Sequence, residues 1–207
     1  MPPFRVGVLI SGEGSNLQAI LDTLHGTEIE VVGVASSRDR ARGLDRARDA
    51  GIEAEVFDRA DHPDRDARDA ALGNWLADRH VDLVVLAGFM EILSGPFIRR
   101  FEGRLVNVHP SLLPAFPGIR AIEQALDYGV RVMGVTVHFV DEGIDSGPVI
   151  LQECFELPYA RDIKAIEEQV HRIEHRLLPR AVLLIAAGAV SIDADNARLV
   201  HTGDRDG

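Results

Sequence analysis

Short apolar runs, each followed by a glycine turn or a helical stretch, recur through the first half of this chain. That recurrence restricts the possible folds more than any other feature. Residues 4–10 read as a buried strand, short and rich in Val. Residues 11–16 follow as a Gly-rich turn, and Leu17, Ile20, Leu21 and Leu24 then repeat at helical spacing. The pattern returns with strands over 29–35, 52–57, 81–87 and 105–109. Between them, helices are expected over 40–50, around Ala71, Leu72, Trp75 and Leu76, and over 95–101. Ser94 as N-cap and Pro96 in the first turn open the last of these.

Strand–helix alternation with nearly continuous apolar strands implies a mostly parallel, twisted sheet with helices on both faces, a Rossmann-like α/β fold. Ligands in such folds bind beyond the carboxyl ends of the strands. Residues 11–16, 88–93 and 107–114 stand there and are expected to converge on one cleft. The second half changes character. Residues 132–140 and 148–157 read as an antiparallel strand pair joined by a short turn. Ile163, Ile166, Val170, Ile173 and Leu177 mark an amphipathic helix, which Pro179 is expected to kink or end before 181–187 continues or restarts it. No linker divides the chain, so a single domain is expected over 1–201, with 202–207 as a disordered tail.

Composition removes several function classes. The formal net charge of −11 argues against nucleic acid, whose binding needs clustered Lys and Arg. A small anion remains compatible, since backbone N–H groups and a few local arginines can hold one. The single cysteine, Cys154, excludes an internal disulfide and suits a reducing, cytoplasmic setting. Its apolar-rich surroundings suggest a buried, inert thiol. No secretory signal precedes the first strand, and the longest apolar run, 181–190, is too short to cross a bilayer.

Three segments could carry chemistry. Gly12-Glu13-Gly14-Ser15-Asn16 allows a phosphate to approach the backbone at a helix start. It matches neither the dinucleotide fingerprint nor a P-loop, and a plain tight turn capped by Ser15 or Asn16 explains it equally well. On a strand, Asn107 and His109 point to the same side, so an amide donor and an imidazole face one spot that could hold a carbonyl oxygen. Structural hydrogen bonding is the competing reading, and the proline-rich loop after Pro110 favours a built site. Residues 141–148 form an acidic turn whose carboxylates could orient His109. His171 and His175 stand four apart on a helix, yet no third ligand suggests itself, and no metal is expected. His138 reads as structural. A Ser/His/Asp hydrolase is rejected, because no Gly-x-Ser-x-Gly elbow exists.

Four blocks carry a family resemblance: residues 10–20 (ISGEGSNLQAI), 84–90 (VVLAGFM), 107–114 (NVHPSLLP) and 137–148, the last containing His138 and Asp145-Ser146-Gly147-Pro148. Glu174-His175 with Leu178-Pro179 adds a shorter match. In these blocks the chain resembles the phosphoribosylglycinamide formyltransferases of the folate-dependent formyltransferase superfamily. The resemblance implies one formyltransferase domain that moves the formyl group of 10-formyltetrahydrofolate to the amine of glycinamide ribonucleotide in purine synthesis. It implies Asn107 and His109 as oxyanion stabilisers and Asp145 as the partner acid that assists proton transfer. It implies Gly14, Ser15, Asn16 and Arg65 at the substrate phosphate and Glu174 at the ribose. The folate wall would comprise Leu86, Phe89, Met90, Glu91, Ile92, Leu93, Val140 and Asp141. Partners would be these two small molecules, with no membrane or nucleic acid; whether the chain forms a homodimer stays open.

Three departures accompany the resemblance. Glu91 stands where relatives often carry arginine. Glu13 places an acid beside the expected phosphate. Residues 119–122 replace a stretch that is often histidine-bearing. Related chemistries fit less well. A methionyl-tRNA formyltransferase would need a further C-terminal domain and a basic face. A formyltetrahydrofolate deformylase would carry an N-terminal regulatory domain. A sugar-nucleotide formyltransferase would not need this phosphate turn. A non-catalytic binding module would not need Asn107, His109 and Asp145 together.

Overall fold

A computed structural model describes residues 3–157 and 162–203. The chain divides into two compact units, Met1–Asn107 and Val108–Gly207.

The first unit carries the expected parallel strands: β1 (Phe4–Ile10), β2 (Ile29–Ser36), β3 (Ala54–Val56), β4 (Leu83–Leu86) and β5 (Leu105–His109), whose last two residues open the second unit. Their lateral order is β3-β2-β1-β4-β5, and each pairing is parallel. The chain therefore runs outward from β1 on one side and resumes at β4 on the other. This reversal at β1 and β4 makes the crevice typical of doubly wound sheets. Residues Val6, Val8, Leu9 and Ile10 of β1 are completely buried, which explains the apolar run. Helices α1 (Ser15–Thr23), α2 (Gly43–Asp49), α3 (Arg65–Asp78) and α4 (Gly95–Arg100) complete the unit. Helix α3 approaches the sheet closely because two strand positions lack side chains. A Cβ at Gly7 would fall 2.6 Å from Leu76, and one at Gly33 would fall 2.5 Å from Trp75. Asp64 caps α3 by accepting from the Ala67 N–H at 2.8 Å.

The second unit holds α5 (Ala121–Tyr128), β6 (Val132–Phe139), β7 (Val149–Glu156), α6 (Ile163–Ala186), β8 (Val190–Ile192) and β9 (Val200–Thr202). Strands β6 and β7 are antiparallel, as their spacing predicts. Helix α6 packs on both, burying Ile166, Val170, Ile173 and Leu177 of the stripe visible in the sequence, whereas Ile163, at the first position of the helix, is exposed. Pro179 does not end this helix, which runs on to Ala186. Burial of Leu178, Pro179, Ala181 and Val182 offsets the hydrogen bond that proline cannot donate.

Two expectations need correcting or extending. Cys154 is exposed, not buried. Strand β7 alternates, and Cys154 shares its exposed side with Gln152 and Glu156, opposite Gly134 in the register. The antiparallel β8–β9 pair extends to Thr202, one residue into the expected tail; residues 204–207 lie outside the described residues.

Candidate active site

The turn after β1 owes its glycine to geometry. Gly14 has φ 70°, and a Cβ there would fall 2.6 Å from Gly43 Cα. Gly14 thus lets the turn rest directly on the start of α2, where the Gly43 N–H donates to the Gly12 carbonyl at 3.1 Å. Ser15 and Asn16 begin α1, and no side chain caps that helix. The Glu13 carboxylate turns outward, 67% exposed and 3.2 Å from Arg42 Nη1. The acid that the sequence sets beside the turn is thereby directed to a neighbouring cation. Arg65 is exposed at the first residue of α3.

The turn and the segment after β4 meet at Ser11. The Met90 N–H donates to Ser11 Oγ at 2.8 Å, and that hydroxyl lies 2.6 Å from Ser37 Oγ. Two of the three strand-end segments are therefore brought together at the β1/β4 crevice. Leu86 and Leu93 are buried, whereas Met90 and Ile92 are 67% and 66% exposed. Phe89 and Glu91 are half-buried between them.

In the second unit, His109 is buried at the end of β5, two residues after the half-buried Asn107. Its Nδ1 lies 3.3 Å from Asp145 Oδ2, and its Nε2 lies 2.9 Å from the Phe116 carbonyl. Both ring nitrogens thus face oxygens that can only accept. An imidazolium donates to both; a neutral ring donates to one.

Asp145 is held from three sides. The Gly118 N–H donates to Oδ2 at 2.7 Å, and His138 Nε2 lies 3.6 Å from Oδ1. Burial alone would raise the carboxyl pKa. The His138 and Gly118 hydrogen bonds, with the charges of His109 and His138, outweigh burial and lower it from 3.8 to about 2. Asp145 sits at φ 48°, a left-handed conformation that Asp tolerates better than most residues.

The acidic turn that carries Asp145 is tightly closed. Asp141 Oδ1 accepts from the Gly143 N–H at 3.1 Å and from Ser146 Oγ at 2.6 Å. A Cβ at Gly147 would lie 1.9 Å from the Phe139 carbonyl. Beside it, Leu113, Pro114, Pro117, Ile144 and Val149 line a cavity of about 310 Å³ that reaches Asp145. Val140 is half-buried just after β6, and Glu174 is buried on α6.

Sequence reasoning missed His138 as a site residue. Its place one residue before the β6 terminus, within a block shared with Asp145, was the available signal. It also missed the buried ion pair of Arg68 and Asp69 beneath residues 88–94, which no sequence pattern marks.

A family model described as formyl transferase matches residues 4–182. The chain belongs to the formyl transferase family. It is 42% identical over 191 residues to the phosphoribosylglycinamide formyltransferase of Mycobacterium tuberculosis, covering 92% of this chain and 88% of that protein. It is 45% identical over 197 residues to the trifunctional purine biosynthetic protein adenosine-3 of Bos taurus, covering 94% of this chain. The chain spans only 14% to 19% of the length of such trifunctional relatives. The crystal structure of glycinamide ribonucleotide transformylase 1 from Symbiobacterium toebii superposes with a TM-score of 0.93 at 46% identity, covering 98% of this chain and 95% of that one. That likeness fits the α/β, mostly parallel architecture described above. Among the described residues, no helix is long and apolar enough to cross a membrane.

Proposed function

We propose that this chain is a cytoplasmic phosphoribosylglycinamide formyltransferase, which moves the formyl group of 10-formyltetrahydrofolate to the primary amine of glycinamide ribonucleotide in purine synthesis. The observation that carries this reading is the Asp145 carboxylate, kept ionised between His109 and His138 in a family of formyl-transferring proteins. Formyltetrahydrofolate is here a second substrate rather than a resident cofactor. The exposed apolar side chains of Met90 and Ile92, with Phe89 between buried Leu86 and Leu93, suit a flat aromatic body. Glu91, Val140 and Asp141 complete that proposed wall. Gly14, Ser15, Asn16 and Arg65 would hold the phosphate of the ribonucleotide, and Glu174 its ribose.

The amine nitrogen attacks the formyl carbon, and negative charge develops on the formyl oxygen. The Asn107 amide donates to that oxygen, and His109 joins it through Nε2 as that nitrogen exchanges the Phe116 carbonyl for the formyl oxygen, its Nδ1 staying on Asp145. Asp145 keeps His109 oriented and supports its positive charge. It thereby assists transfer of the amine proton to the departing nitrogen. The new C–N bond forms, the old one breaks, and tetrahydrofolate leaves with the proton. The test is release of tetrahydrofolate by the purified chain, measured with and without glycinamide ribonucleotide. Release that depends on the acceptor is expected. Release without acceptor would indicate a deformylase instead, and binding without turnover a non-catalytic module.

A further inference from the structure

Beneath the segment after β4 lies a buried charge that the proposed reaction does not use. Arg68, in the first turns of α3, is 0% exposed, and its neighbour Asp69 is 1% exposed. An arginine is placed so deeply only when other groups compensate its charge. Asp69 Oδ1 accepts from Arg68 Nε at 2.8 Å and lies 2.6 Å from Nη2. Asp69 Oδ2 accepts from the Ser94 N–H at 2.6 Å. The rest of the guanidinium faces the loop. Nη2 donates to the Ile92 carbonyl at 3.4 Å, Nη1 lies 3.3 Å from Glu91 Oε2, and the cation sits 5.9 Å from the Phe89 ring centroid. Nη1 makes no hydrogen bond, so Glu91 engages it as a charge rather than as a fitted acceptor.

These contacts make a frame. Residues 89–94 form no helix or strand, yet each of Phe89, Glu91, Ile92 and Ser94 is tied to the Arg68–Asp69 pair. Met90, the remaining polar attachment, is tied to Ser11. Tethers at 91 and 92 fix the backbone from which Met90 and Ile92 project into solvent. The same contact sets a cation against the Glu91 carboxylate, so the loop does not present bare negative charge to an anionic ligand.

We propose that Arg68 is the positioning residue of the loop at 88–94: from the buried start of α3 it holds Glu91 and Ile92 so that Met90 and Ile92 present a fixed apolar platform to the one-carbon carrier. This rests on the proposed function for the identity of the carrier. Arg68 touches no reacting atom, and its effect is confined to one of the two substrates.

Arg68→Lys tests the role. Lysine keeps a positive charge against Asp69, yet a compact ammonium cannot serve Asp69, Glu91 and the Ile92 carbonyl as the planar fork does. The expected result is a rise of about tenfold in KM for 10-formyltetrahydrofolate and in Kd for tetrahydrofolate by calorimetry. KM for glycinamide ribonucleotide and kcat at saturating carrier should stay within about twofold. Glu91→Gln, half-buried and safer for folding, should raise carrier KM and Kd by a smaller factor. Equal rises in both KM values, or no rise in carrier KM and Kd in either variant, would overturn the positioning role. A wild-type chain that neither binds tetrahydrofolate nor releases it on adding ribonucleotide would overturn the functional reading as well. Normal wild-type behaviour with unaltered variants would overturn the Arg68 role alone.

Discussion

Asp145 stands between two imidazoles, with His109 Nδ1 3.3 Å from one carboxylate oxygen and His138 Nε2 3.6 Å from the other. Each oxygen is committed to a different histidine, and the Gly118 N–H shares the one facing His109. The carboxylate therefore has one stable orientation, set by groups from three segments. Asp145→Asn keeps the shape and removes the charge. We expect kcat to fall by about two to four orders of magnitude while tetrahydrofolate still binds, as steady-state kinetics and calorimetry would measure. An active Asp145→Asn variant would remove the proposed acid from the mechanism.

In the proposed reaction His138 would act through Asp145 rather than on substrate. His138→Gln should lower kcat by about tenfold and leave both KM values near wild type, because His109 and Gly118 still hold the other oxygen. The same variant should raise the Asp145 pKa, visible as a carboxyl resonance titrating at higher pH in NMR. An unchanged titration would place His138 outside the network.

Acid stability should carry the signature of Asp145. Its folded pKa, about 2, lies below the ordinary 3.8. The ionised group therefore stabilises the fold above pH 3.8, and that contribution is lost as pH falls toward 2. The full contribution is about 2 kcal/mol. Between pH 5 and pH 3, the stability advantage of wild type over Asp145→Asn in urea should shrink by about 1 kcal/mol. An advantage that holds constant over this range would mean that the carboxyl is not depressed.

Gly147 is required by space rather than by backbone freedom. An added Cβ would lie 1.9 Å from the Phe139 carbonyl. Gly147→Ala should cost about 1–3 kcal/mol in thermal or urea unfolding and disturb the turn that carries Asp145. Activity should fall more than that of a variant at Gly203, where an added Cβ meets only the Ala189 carbonyl, at 3.8 Å.

The exposed Cys154 thiol should react with a thiol-specific reagent in the native protein without loss of formyl transfer. Slow labelling that proceeds only on unfolding would contradict the exposed face of β7.

Periodicity made the parallel strands, the antiparallel β6–β7 pair and the apolar stripe of α6 legible, because each buries a regular face. It was silent on α5, whose eight residues lie between caps at Arg120 and Gly129, both in left-handed conformation. It was also silent on the three-residue strands β8 and β9, too short to display a period. Proline at 179 suggested a break that burial on both sides of it prevented. At the site, the spacing of Asn107 and His109 was readable because two residues on one strand share a face. The approach of Asp145 and His138 to His109 depends on a turn that folds back through Asp141, Gly143 and Ser146, which no local pattern encodes. Arg68 was not legible for a related reason: charge in a sequence suggests solvent, and only tertiary packing shows a buried pair.

The contact between Gly14 and Gly43 bears on how fast a ligand could be taken up. The turn before α1 rests on the backbone of α2, with the Arg46 guanidinium donating to the Glu13 carbonyl at 2.8 Å. Its shape is already set before any ligand arrives. Ordering mobile side chains on binding costs about 0.5–1.5 kcal/mol each, and a turn braced in this way avoids most of that cost. Encounter at this turn is then governed by diffusion and orientation rather than by waiting for a loop to settle.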